Sequence, residues 1–575
     1  MRIKSSKTNS NTNYYVIKDF KINGKRTTKI IEKLGTDNDI RLKFKIDDVN
    51  QFLNEYITKL NKEEKKSKKT IMKFYDEEKI IELDKQYSFN GGYLFLQDIY
   101  YSLKLNNICE EITNKYQFKF DLNNILSNLI YSRIIYPSSK LKTIDLCKNF
   151  LEQPNFEYQH VLRALEVLNK ENDFIQSELY KNSLKYSKRN DKVLFYDCTN
   201  YYFEIEDDDD FRKYGKNKEH RPNPIVGMGL FIDGDGIPLT FSTFPGNRNE
   251  QTTLKPLEEK IIKDLNISDF VVCTDAGLSS NSNKKFNNKN NRKYVTTQSL
   301  KKLKLFLKDW SLDLSKGWKI YGSDKTYDIS KLRDDEKLIK KFYNTIFYKE
   351  RWIKENGIEE RLIITYSPKY QEYQKKIREK QINRALTIIE NNPKTIKSGN
   401  ENDPKRFIST IATTSSGEVA NENNYSLNQE KITEESKYDG LYAVCTNLED
   451  TVDEIIKINT RRWEIEESFR IMKTEFNAKP IYLSRQDRIH AHFLICFLSL
   501  VIYRYLEKKL NEEYTTSEII DTLRNMKFTQ KDNDYIPSYK RTYLTDSLHN
   551  VFNFRTDYEI ISEKNIKKIF NLTKK

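Results

Sequence analysis

The sequence has few cysteines and no motif that pairs them: Cys109, Cys147, Cys198, Cys273, Cys445 and Cys496 stand singly, with no CxxC or zinc-finger spacing. That excludes a disulfide framework and a structural zinc module. The opening stretch Met1–Tyr15 has no apolar core, so no secretory signal is read. No apolar run is long enough to cross a bilayer; the longest, Phe493 to Tyr503, reads as a buried helix. A cytoplasmic, nucleoid-associated protein without a membrane partner is therefore expected. Internal repeats are also lacking. So are an aromatic RNP-type motif and a KH loop, which ranks a generic RNA-binding role last.

What the chain has is positive charge. Ninety-nine Lys and Arg against 84 Asp and Glu leave +15. Such a surface suits a polyanion, because each phosphate contact releases condensed counterions, although a generic lysine-rich protein has the same balance. The mean hydropathy is −0.78, yet 37 Tyr and 31 Phe supply enough apolar surface for folded cores. At 575 residues the chain is too long for one core, and three or four domains or subdomains are expected.

Residues 1–80 read as a small basic α+β module, with short strands over 13–35 around an Asn23-Gly24 hairpin turn and a charged helix from Asp47 to about Lys69. Residues 81–190 read as a helical domain, because apolar residues recur three and four apart in DLNNILSNLIYSRII and HVLRALEVL. The texture then changes. KVLFYDCTNYYFE (192–204) is strand-like, and 224–244 reads as two strands joined at Asp233-Gly-Asp-Gly236. DFVVCTD (269–275) is a short strand ending in Asp275, and RKYVTTQ (292–298) reads as the next. Three strands followed by a strand–helix–strand unit give an α/β fold, a ribonuclease-H-like mixed sheet over 191–299. Residues 300–437 read as an insertion in that fold. The sheet resumes over 438–510 with the strand LYAVCT and a helix, and 511–575 form a C-terminal region.

The chemistry sits in Asn459–Lys473. On one helix at about 100° per residue, Asn459, Arg462, Arg470 and Lys473 fall within about 40° of Glu466. Ile458, Ile465, Phe469, Met472 and Phe476 form an adjacent apolar stripe. A carboxylate for metal bordered by cations for phosphate suits phosphoryl transfer on DNA. An ordinary amphipathic helix with ion pairs has the same spacing. Asp197, on a strand face with Val193 and Phe195, and Asp275, at the end of another strand, shift the balance. Neighbouring strands bring two such residues together and a helix beside them adds the third. Three carboxylates can hold two divalent ions, one to activate water or a DNA hydroxyl and one to steady the leaving oxygen.

The run R-W-x-I-E-x-x-F-R-x-x-K resembles the Tyr-Arg-Glu-Lys signature of DDE transposases from bacterial insertion sequences, the insertion-sequence-four superfamily. Arg462, Glu466 and Lys473 match at the family spacing. The family tyrosine, which helps hold terminal DNA phosphates, falls on Asn459. Further similar blocks are RIIYPSSK (133–140), YDCTNYYFE (196–204), YGKNKEHRP (214–222), GIPLTFSTFPGN (236–247), TDAGL (274–278), YDGLY (438–442) and DRIHAH (487–492). The resemblance implies a metal-binding triad of Asp197, Asp275 and Glu466, a two-metal Mg²⁺ site in which Mn²⁺ substitutes, and a mainly β insertion domain. It implies hydrolysis at transposon ends followed by attack of the freed 3′-hydroxyl on target DNA. The implied partners are double-stranded DNA, as terminal inverted repeats and target, and a second copy of the chain on paired ends.

Other candidates are weighed beside these. Lys213, Lys216, Lys218, His220 and Arg221 form a loop suited to DNA phosphates, or a solvated loop balancing Glu206–Asp210. Lys25, Arg26 and Lys29 beside the hairpin turn are candidates for reading terminal repeats. Trp310, Trp318 and Trp352 read as core before base-stacking residues, and His490 and His492 as core or supporting groups before metal ligands. Pro245-Gly246-Asn247 with Glu250 reads as a turn and helix start. The rival functions are a nuclease that cuts without joining and a catalytically degenerate, transposase-derived DNA-binding protein.

Overall fold

The computed structural model describes residues 1–7, 12–22, 25–67, 80, 82–391, 403–413 and 419–575. They divide into two units, Met1–Lys85 and Gln86–Lys575. In the first, Arg2–Lys7, Thr12–Ile22 and Lys25–Thr36 form an antiparallel sheet, followed by helices Asp37–Phe44 and Val49–Ser67. Thr36 and Asp39 cap the first helix reciprocally, each side chain accepting from the other's backbone N–H. Val16, Leu34, Ile40, Val49 and Leu53 make its core. The Asn23-Gly24 turn lies outside the described residues.

In the second unit, helices α1 (Leu122–Ile135) and α2 (Lys140–Cys147) lie in the helical region. Asp121 caps α1 by accepting from Asn124 N at 2.8 Å, and Ser139 caps α2 by accepting from Lys142 N at 3.2 Å. Helix α1 carries Asn, Ser and Arg among its apolar residues, yet all of it but Asn123 and Asn124 is buried.

Ten strands form one sheet: β1 (Val193–Tyr202), β2 (Ile225–Asp233), β3 (Pro238–Pro245), β4 (Val271–Thr274), β5 (Lys293–Thr297), β6 (Trp318–Ile320), β7 (Ser323–Tyr327), β8 (Phe347–Glu355), β9 (Ile358–Tyr366) and β10 (Leu441–Thr446). Their order is β7-β6-β8-β9-β10-β5-β4-β1-β2-β3. β1, β2 and β3 are antiparallel neighbours, whereas β4 runs parallel to β1 and β5 parallel to β4. This mixed α/β arrangement is consistent with a ribonuclease-H-like core. Alternation along β1 sends Phe195 and Tyr201 into one core and Tyr196 and Cys198 into the other, so the sheet is covered on both faces.

Among its described residues, the segment 300–437 is not mainly β. Its strands β6 to β9 join the main sheet through the β9–β10 pairing. The segment also carries the 24-residue helix Pro368–Asn391 and a separate strand pair, Ile408–Thr413 with Val419–Leu427. The helix has a physical cause: KYQEYQKKIREKQINRALTIIEN is dominated by strong helix formers.

Beyond β10 come α3 (Val452–Thr460), α4 (Trp463–Arg470) and α5 (Gln486–Lys509). α5 alone among the described residues is long and apolar enough to cross a membrane, and it is buried in the core of this unit. In the C-terminal region, the strand Lys527–Lys531 pairs with Ser88–Asn90.

Candidate active site

Register places the two aspartates side by side. β1 and β4 run parallel with Val193 opposite Val271, Leu194 opposite Val272 and Phe195 opposite Cys273. Asp197 and Asp275 each lie two residues beyond the last of these pairs, and they are close enough that the charge of Asp275 acts on Asp197. β4 ends at Thr274, so Asp275 sits where its strand gives way to a turn. Its Oδ1 accepts from Leu278 N at 3.0 Å, and its backbone carbonyl accepts from Thr296 Oγ1 at 3.2 Å. Gly277 leaves room for the carboxylate, since a Cβ there would stand 3.2 Å from Asp275 Oδ2.

The face these aspartates share is also fixed by alternation. Tyr201, four residues after Asp197 on β1, reaches Met472 Sδ at 3.9 Å, and Lys473 Nζ lies 5.4 Å from its ring. Cys273, two residues before Asp275, has its Sγ 4.0 Å from Asn459 Oδ1. Both aspartates therefore belong to the face of the sheet covered by Asn459–Lys473, and α4, which carries Glu466, packs on β1.

That segment is not one continuous helix. It breaks at Arg461–Arg462 between α3 and α4, and a π-helical turn over Ile471–Glu475 follows α4. Ile465, Phe469, Met472 and Phe476 are buried, which seats α4. Buried Arg504 on α5 donates to Glu464 O at 3.2 Å and Ser468 Oγ at 3.0 Å, and fixes its position. Gly236, in the β2–β3 turn at φ +79, completes the clamp: a Cβ there would lie 2.2 Å from Glu464 Oε2. Glu466 remains exposed and meets Arg462 at 3.4 Å.

The electrostatics tie these groups together. Burial, first, and the neighbouring Asp275 carboxylate push Asp197 up to about 6, against the pull of Lys218 and Arg462. Arg462 thus contacts Glu466 and acts on Asp197. Lys218 donates to Cys198 O, next to Asp197, and lies 3.4 Å from Glu250. Asn200 holds the Lys218 loop by donating to Lys216 O at 3.0 Å and accepting from Lys218 N at 3.2 Å. Lys216 itself is exposed, and Arg221 stacks 4.4 Å over the Tyr202 ring.

The remaining cations are engaged. Lys473 lies 3.5 Å from Glu219, which Lys479 also holds, and burial is the main reason its ammonium is lowered. Arg470 pairs with Glu467 and, at 3.8 Å, with Glu475 rather than facing Glu466. Asn459 is buried and donates to the Tyr442 hydroxyl at 3.0 Å, which is 2.6 Å from Thr297 Oγ1. Glu219, Lys479 and Tyr442 were not singled out by sequence, although Glu219 and Tyr442 lie in the quoted blocks YGKNKEHRP and YDGLY. His490 meets Thr243 and the Phe211 ring, and His492 bonds Ala478 O at 3.1 Å; neither faces the aspartates. Trp318 is buried, Trp310 partly buried against Lys349, and Trp352 exposed.

The donor set fits a divalent cation. Two neighbouring half-buried carboxylates repel each other, and a cation between them would offset both the burial and the repulsion that raise Asp197.

No curated protein sequence matches the chain. Among solved structures, it is similar to the piggyBac transposase in a cryo-EM synaptic complex with hairpin DNA, at 10% identity and a TM-score of 0.35 over 84% of each chain. The family model of the transposase DDE domain matches residues 189–502, from just before β1 to within α5. That match spans more than half of the chain and contains Asp197, Asp275, Glu466 and the cations around them, and the chain belongs to the transposase DDE domain family.

Proposed function

We propose that this protein cleaves DNA at transposon ends and joins the freed 3′-hydroxyl to target DNA, with Asp197, Asp275 and Glu466 as its metal ligands. The observation that carries the reading is that Asp197 on β1 and Asp275 just beyond β4 come near enough to interact, beside the helix of Glu466 that packs on β1. Bound Mg²⁺, or Mn²⁺ in its place, would supply Lewis acidity to the scissile phosphate and lower the pKa of the attacking water or hydroxyl. Lys218 borders Asp197, and with Lys216 and Arg221 from the same loop it is suited to hold the phosphates on either side of the cut. Arg462 orients Glu466. Lys473 and Arg470 supply positive charge along the same segment once DNA phosphates displace Glu219 and Glu467 from them. A pair of chains, one on each end, fits the reaction.

The test is cleavage and strand transfer on a labelled terminus of the element, with Mg²⁺ or Mn²⁺. Wild type yields nicked and joined products. Glu466→Gln loses several kcal/mol of transition-state stabilisation, about a thousandfold in rate, while still binding DNA. Cleavage unaffected by the substitution contradicts the site. A second reading, a degenerate DNA-binding protein, is favoured by one observation: Asn459 stands at the family tyrosine position and is buried against Tyr442. Binding without cleavage by the wild type would establish it.

A further inference from the structure

The block RIIYPSSK (133–140) takes no part in the site above, yet it builds a cavity of about 500 Å³ with residues 477–483 and His492. Arg133 and Lys140, both at least nine-tenths buried, line it. Arg133 is spent on backbone carbonyls: those of Phe476 at 3.1 Å, Asn477 at 3.3 Å and Ser138 at 3.0 Å; its Nε is unpartnered. Lys140 has no hydrogen-bond or ion-pair partner among the described residues. The groups acting on it are Arg133 and the Cys147 and Cys496 thiols, with no carboxylate among them. Its burial lowers it to about 7.

A buried cation normally has a counter-charge, because an ion taken out of water loses its solvation. Here two cations and a histidine converge on one cavity without an anion. Ser138 and Ser139 open the eight-residue α2 onto the same space, adding its positive N-terminal end. The cavity also adjoins the candidate active site. Lys479 lines it and holds Glu219, which in turn meets Lys473 on the segment that carries Glu466.

We infer that this cavity is an anion site that receives a backbone phosphate of the bound DNA, with the Lys140 ammonium and the α2 N-terminus as its donors. The inference rests on the transposase reading for the identity of the anion. Lys140 supplies the counter-charge the phosphate needs, Arg133 holds the cavity wall in place, and the Lys479–Glu219–Lys473 chain continues the positive track toward the metal-binding carboxylates.

The test uses the full chain and an amine-acylating reagent, with Lys140 modification followed by peptide mass spectrometry. A duplex carrying the element's terminus should slow Lys140 acylation at least about tenfold, and millimolar inorganic phosphate should slow it less. Lys140→Met should weaken duplex binding about tenfold, equally on unrelated sequences, and make the slope of log affinity against log salt shallower by about 1. Lys140→Arg should restore both. The methionine variant should melt no lower than wild type, since it removes an unpaired buried charge; should it not fold, the protection measurement on wild type still decides. Lys140 acylated at the same rate with and without duplex overturns the site. Protection by inorganic phosphate but not by duplex overturns the assignment to DNA, and leaves the transposase reading to its own cleavage assay.

Discussion

Asp275 follows the end of the short apolar strand β4, whereas Asp197 stands midway along β1 on the face that α4 covers; apolar neighbours mark both positions in the sequence. Their neighbours were less legible. Glu219 and Lys479 are 260 residues apart, and no local pattern announces that they meet. Tyr442 is similar: it bonds Asn459 on α3 and Thr297 on β5, two contacts that exist only once the sheet has formed. Tyr442→Phe leaves the Asn459 amide without its acceptor, and should lower stability by about 1–3 kcal/mol in a denaturant titration; an unchanged midpoint would show that the bond carries no weight. Glu258 offers a pH signature. Burial pushes its carboxyl from 4.5 up to about 8, against a bond from Asn287 Nδ2 at 2.7 Å and the charge of Arg292. Because the folded-state value is raised, its contribution is full below pH 4.5 and is lost as pH rises through about 8. The melting temperature should fall across that window, and Glu258→Gln should flatten the fall; a variant with the wild-type pH profile would contradict this assignment.

Among elements, the strands are read from sequence with ends close to those observed, since β-branched and aromatic residues mark them and Gly-Asp-Gly marks the β2–β3 turn. The break between α3 and α4 is not readable in that way. Asn-Thr-Arg-Arg-Trp contains no glycine or proline, so no local signal marks the break, beyond which α4 packs on β1 and is anchored by Arg504. It changes what the helical wheel implies, turning Asn459 into the core and Arg470 toward Glu467. The β2–β3 turn should therefore control α4. Gly236→Ala places a methyl against Glu464 and strains a left-handed backbone, at about 1–3 kcal/mol. Its cleavage rate should fall by more than its stability loss explains, because α4 carries Glu466. Wild-type cleavage by a folded Gly236→Ala protein would show that the turn does not position the helix.

At the scale of the whole molecule, the mixed sheet was legible and its extent was not. Strand–turn–strand and strand–helix–strand order specify β1 to β5, but nothing local states that β6 to β9 continue the same sheet through β10. The inserted segment therefore read as a domain of its own. Positive charge is the other whole-molecule property, and at +15 it favours DNA as partner without naming the site. Among the described residues one rival cation site competes for attention: Asp546, His549 and Asp557 bring ligand atoms within 4.8 Å of one another, but Arg541 and Arg555 already neutralise its carboxylates. The most direct measurement is iron-directed backbone cleavage, with Fe²⁺ in place of Mg²⁺ and ascorbate with peroxide as the oxidant. The account predicts cuts near residues 197, 275 and 466 that excess Mg²⁺ suppresses and that Asp197→Asn with Asp275→Asn abolishes. Cuts near 546–557, or cuts that survive both substitutions, would contradict it.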